Sequence, residues 1–118
     1  MYTFRVHLAA LSFLLSAAVC LSSATARAAD IDADAAMALA KKNGCFKCHA
    51  IDKTKKGPSY QKIAAKYKGK PEGESKAIEN FTTGPKVKLE DGTEEEHKII
   101  DTKDLKEQKN LARWILSQ

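Results

Sequence analysis

Five residues constrain this chain more than any others: Cys45-Phe46-Lys47-Cys48-His49. They set two thiols three positions apart, with an imidazole directly behind the second. On a helix, residues three and four apart share a face, so the three side chains converge on one side. Such a cluster offers two thiols to the vinyl groups of a haem and one imidazole to its iron. Two other chemistries use paired cysteines. A tetrahedral zinc site needs a fourth ligand, which only His97 or a carboxylate could add. A thioredoxin-like redox pair sits beside a βαβ pattern, and this chain has none. The expectation is one covalent haem c, with thioethers to Cys45 and Cys48 and iron ligated by His49.

The residues ahead of that motif carry an export pattern. Arg5 and His7 supply a positive start, Leu8 to Leu21 is almost unbroken apolar, and Ala26-Arg27-Ala28 makes an A-x-A exit. That order is a secretory signal peptide. A membrane anchor needs about 20 apolar residues, and this run is shorter. Cys20 does not fit a lipid-attachment signal, because Val19 rather than a small residue precedes it and Ala17 stands where leucine belongs. Residues 1–28 are therefore expected to be cleaved, leaving residues 29–118 as a single periplasmic domain with no membrane anchor. A domain of that size buries too little surface to be comfortable without a staple, and the haem would serve as one.

Charge divides the mature chain in two. Residues 41–70 hold ten lysines and one acid, Asp52, whereas residues 71–107 hold six lysines and eleven acids. The basic half is either ordinary solvated surface or a docking face for acidic redox partners. Nucleic acid is excluded as a partner by the compartment and by the lack of aromatics interleaved with the basic residues.

Four helical segments follow from periodicity and caps. Asp30, Asp32 and Asp34 open the first, which runs on from Ala35 to Lys42 with lysines in its last turn. The cysteine motif is expected on a continuing turn of helix. After the Gly57-Pro58 break, Tyr60, Ile63, Ala64 and Tyr67 recur at helical spacing until Gly69. Ser75 to Phe81 reads as a short helix. Gly84 to Ile100 reads as an irregular loop with a small hairpin turning at Asp91-Gly92. The last helix starts with Asp104 and Glu107 in a capping-box spacing and puts Leu111, Ala112, Ile115 and Leu116 on one apolar face.

Asn43-Gly44-Cys45-x-x-Cys48-His49-Ala50-Ile51-Asp52, then Gly57-Pro58-Ser59-Tyr60, then Leu111 to Gln118 resemble the short bacterial class I c-type cytochromes. The resemblance implies an all-α fold of about four helices around one haem, the first and last crossing beside it. It implies that Gly44 lets the last helix approach near Trp114. It also implies that the Pro58 carbonyl accepts the Nδ1 proton of His49, fixing the tautomer that turns Nε2 to iron; the alternative is a plain loop proline.

The chain departs from that family at the second axial position, where a methionine in the loop before the last helix is usual. Of its two methionines, Met1 lies in the signal, and Met37 lies two helical turns before Cys45, about 12 Å away along the axis. Met37 reads as a packing residue. His97 is the one mature-chain histidine besides His49, and it falls in the loop that should supply the ligand. The expectation is bis-histidine iron and a low potential, since thioether ligation is what raises it. The Glu94–Glu96 run reads as solvated, with a hydrogen bond to His97 as its other use. Function is then one-electron transfer between redox partners rather than catalysis. The alternatives are a haem protein with a displaceable sixth site for NO, CO or O2, and the haem subunit of a periplasmic oxidoreductase.

Overall fold

The computed structural model describes residues 30–118; the signal peptide expected over residues 1–28 lies outside them. Four helices form, α1 (Ala33–Lys42), α2 (Tyr60–Tyr67), α3 (Gly73–Thr83) and α4 (Leu105–Leu116), with two short strands, β1 (Lys86–Lys88) and β2 (Glu94–Glu96). Helix α1 starts where the Asp32 carboxylate accepts the Ala35 N–H at 2.9 Å, and it ends with Lys41 and Lys42 against the negative end of its dipole. Asp104 caps α4 by accepting the Lys106 and Glu107 N–H groups. The capping box closes through a third residue: the Thr102 hydroxyl donates to the Glu107 carboxylate and accepts the Asp104 N–H.

Helix α4 is the hub, and α1, α2 and α3 all pack on it. Its buried Leu111, Ala112, Trp114 and Ile115 share one core with Ala36 and Ala40 of α1, Tyr60 of α2, and Ala77 and Phe81 of α3. Alanine at 36, 40 and 112 keeps the α1–α4 crossing free of bulky side chains, so the two helices come close. Helix α3 runs further than Ser75 to Phe81 at both ends. Its start takes in the buried Gly73, where packing outweighs glycine's poor helix propensity. At its end Thr82 and Thr83 donate back to the Ile78 and Glu79 carbonyls.

The hairpin forms as the turn signal predicts. β1 and β2 pair antiparallel with Lys86 opposite Glu96 and Lys88 opposite Glu94. Opposite charges face each other across the ladder, so an exposed glutamate run can hold a strand. Asp91 closes the turn by accepting from both the Thr93 N–H and the Thr93 hydroxyl.

Candidate functional site

The site begins where α1 stops. Gly44 takes φ +70, the left-handed conformation that ends a helix at low cost. That corrects its expected role, because a Cβ there would meet only the flexible Lys47 side chain, at 3.6 Å, and no part of α4. The turn that follows also differs from the expected helix. Cys45–Lys47 is a 3₁₀ turn, with the Cys48 N–H donating to the Cys45 carbonyl. In 3₁₀ geometry residues i and i+3 eclipse, so the two cysteines still share a face. His49 closes the turn, its N–H donating to the same Cys45 carbonyl at 3.0 Å, and it also forms an isolated antiparallel bridge with Thr54. Both cysteine side chains are half-buried, and burial pushes the Cys45 thiol above its ordinary value.

His49 is held from three directions. Its Nδ1 lies 2.7 Å from the Pro58 carbonyl oxygen, which can only accept, so Nδ1 carries the proton and Nε2 a free lone pair. The Tyr60 ring stacks on it at 5.4 Å and 19°, and Tyr60 is itself wedged edge-on by Phe46 and Trp114. Gly57 closes the third side: a Cβ there would stand 2.8 Å from His49 Cε1. Burial pulls the His49 pKa below its ordinary value, with the Pro58 hydrogen bond opposing. The ring is therefore neutral at pH 7 and fixed in orientation.

His97 follows β2 directly. Its backbone N–H donates to the Pro85 carbonyl at 2.9 Å, and its ring Nδ1 lies 3.0 Å from the Lys98 carbonyl. Its ring centroid is 6.0 Å from that of His49, the planes tilted by 41°. Among the described residues the Glu94–Glu96 carboxylates do not hold the ring; they stand exposed on β2 while a backbone carbonyl does that work. Met37 packs half-buried against the core.

The sequence assigns no role in the site to four residues around it: Asn43, Gly57, Ile100 and Asp101. Asn43 is buried and bonded to Asp101; Ile100 is buried, with its N–H donating to the Phe81 carbonyl; Gly57 fits against His49. An Asn-Gly pair before a cysteine looks like a helix stop, and nothing local names a partner 58 residues away.

The donor set fits a haem. Two thiols share one face, and two imidazoles have Nδ1 engaged and Nε2 free. By contrast, no three His, Cys, Asp or Glu side chains gather as a bare metal-ion site among the described residues. No described helix is long and apolar enough to cross a membrane.

Fold and donor set define a small all-helical haem protein, and comparison with known proteins agrees. The cytochrome c family model matches residues 33–118, and the chain belongs to that family. It is 32% identical over 80 residues to cytochrome c-551 of Pseudomonas aeruginosa, covering 68% of this chain and 73% of that protein. Cytochrome c-552 of Hydrogenobacter thermophilus is 32% identical over 79 residues, covering 67% and 76%. Among solved structures, the class 1 cytochrome MtoD from Sideroxydans lithotrophicus ES-1 superposes with a TM-score of 0.71 at 54% identity, over 75% of this chain and 97% of that one. The protein is a short bacterial class I c-type cytochrome, all-α, with one covalently attached haem c, and it carries electrons between redox partners.

Proposed function

We propose that this cytochrome is a bis-histidine, low-potential electron carrier of the periplasm. Its haem is thioether-linked to Cys45 and Cys48, and its iron is held between His49 and His97. One observation carries the reading: the two imidazole centroids stand 6.0 Å apart. Two metal–imidazole bonds of about 2.0 Å, plus the reach from nitrogen to ring centre on each side, span about 6 Å. Both Nδ1 atoms lie against backbone carbonyls, the usual outer partner of a ligating histidine, which leaves both Nε2 atoms for metal.

Bound haem supplies a one-electron couple between ferric and ferrous iron. The chain does the rest. The Pro58 and Lys98 carbonyls fix both tautomers and make both rings better donors, which favours the ferric state. Tyr60, Phe46 and Trp114 wall the His49 side against water. An imidazole in place of a thioether lowers the potential. Export through the leader expected over residues 1–28 would put the protein in the periplasm. Lys47, Lys53, Lys55 and Lys56 are all exposed along the segment that carries the cysteines, which suits encounter with an acidic redox partner.

His97→Ala tests the ligation. The variant should show high-spin iron and bind CO rapidly when ferrous, whereas the wild type stays low-spin and binds CO slowly. Equal CO binding by the two proteins would remove His97 from the iron and favour a haem site open to small ligands.

A further inference from the structure

Asn43 is one of two buried polar residues in the described chain, at 7% exposure. Its side chain is fully engaged. Nδ2 donates to the Leu39 carbonyl at 3.0 Å and to Asp101 Oδ1 at 3.1 Å, and Oδ1 accepts the Asp101 backbone N–H at 2.9 Å. The first bond closes the end of α1. The other two reach across the molecule to Asp101, whose second oxygen takes Lys42 Nζ at 2.9 Å.

The placement of these two residues gives the contact its meaning. Cys45 follows Asn43 by two positions, and His97 precedes Asp101 by four. One amide therefore joins the turn that bears the haem-linking cysteines to the segment that bears the distal imidazole. Apart from the exposed Lys42 ion pair beside it, the other anchors of that segment lie elsewhere: the His97 N–H goes to Pro85 and the Ile100 N–H to Phe81, at the far end of α3. They tie the segment to α3 and β1, not to the proximal turn. A chain so short and so bonded passes a shift at Asp101 on to His97.

We propose that Asn43 is a positioning residue for the sixth ligand: its paired hydrogen bonds to Asp101 hold the 97–101 segment across the haem and set how rarely His97 leaves the iron. The inference rests on the bis-histidine reading. It accounts for an amide buried here, since its separate nitrogen and oxygen donate to the Asp101 carboxylate and accept from its N–H at once.

The test is CO binding to the ferrous holoprotein, where entry waits on His97 dissociation. Asn43→Asp keeps the acceptor but turns a carboxylate oxygen toward the Asp101 carboxylate, and it should speed CO binding about tenfold, the worth of one charge-assisted hydrogen bond. Adding Asp101→Asn restores a donor and an acceptor with their roles exchanged, and should return the rate to within about threefold of wild type. Asp101→Ala cuts the same charge-assisted bond and the exposed Lys42 ion pair without setting two carboxylates face to face, and should raise the rate about three- to tenfold. In a His97→Ala background Asn43→Asp should leave CO binding unchanged, because the iron is already open. Equal acceleration with and without His97, or no rescue by the exchange, would show that Asn43 supports the fold generally and would overturn the proposal. Wild-type CO binding as fast as that of His97→Ala would instead fell the bis-histidine reading, and this inference with it.

Discussion

Replacing Gly57 by alanine adds a single methyl group, yet it should move the potential of the haem. Gly57 is not among the glycines with positive φ, so alanine can adopt its backbone and the effect isolates one contact. The new Cβ would stand 2.8 Å from His49 Cε1, 3.2 Å from His49 Nδ1 and 3.4 Å from the Cys48 carbonyl oxygen. The ring cannot simply retreat, because Tyr60 stacks on it and iron holds its other edge on the proposed ligation. Either the imidazole tilts or the Gly57-Pro58 backbone moves outward, and both lengthen the 2.7 Å bond to the Pro58 carbonyl. Overpacking of this kind costs about 1–3 kcal/mol of stability. Losing the outer hydrogen bond of a ligating histidine costs about 10- to 100-fold in metal affinity. A less basic imidazole gives up more in the ferric state than in the ferrous. If the whole loss fell on ferric iron, at about 59 mV per factor of ten for one electron, the potential would rise by at most about 60–120 mV. Spectroelectrochemical titration of wild type and Gly57→Ala, with thermal melts alongside, reads both effects. A lowered Tm with an unmoved potential would refute the idea that the contact acts through the His49 hydrogen bond, and a fall in potential would refute its sign.

His97→Met should keep the iron six-coordinate, if the loop can bring the thioether to it, and raise the potential, read by the same titration. Leu111→Ala empties the largest fully buried side chain of the core and should cost about 2–5 kcal/mol in denaturant unfolding of the holoprotein. Reversing charge at Lys55 and Lys56 should slow reduction by an acidic partner at low salt, and raising the salt until the Debye length falls below about 10 Å should slow the wild type to match. The Lys42 ion pair, followed by the Asn43 amide, holds the Asp101 carboxyl below the usual carboxylate range. A folded pKa below the unfolded one gives stability that is present at neutral pH and lost as pH falls through the folded value. Asp101→Asn should therefore remove one acid-dependent step from the unfolding profile measured below about pH 4.

Much of this was legible in the sequence because each element carries a local chemical reason. The acids at the start of α1, the capping-box spacing at Asp104, periodic apolar residues in α4 and the Asp91-Gly92 turn place the elements without tertiary information. The Cys45-x-x-Cys48-His49 spacing survives even though the turn is 3₁₀ rather than α, because eclipsed i and i+3 positions bring the cysteines together just as well. Gly44 misleads for a related reason: a glycine can serve close approach or left-handed φ, and only the folded backbone, at φ +70, tells them apart. The Asn43–Asp101 contact and the fit of Gly57 against His49 stay hidden because long-range packing decides them. The Glu94–Glu96 run looks like solvated coil until its register against Lys86 and Lys88 is known.

The axial ligation is tested most directly on the unmodified protein, by combining optical spectra with paramagnetic NMR of the purified cytochrome in both oxidation states. Two imidazoles on iron predict low-spin spectra when oxidised and when reduced, with hyperfine-shifted signals from the rings of both His49 and His97 in the ferric form. High-spin iron in either state, or hyperfine shifts confined to His49, would contradict it.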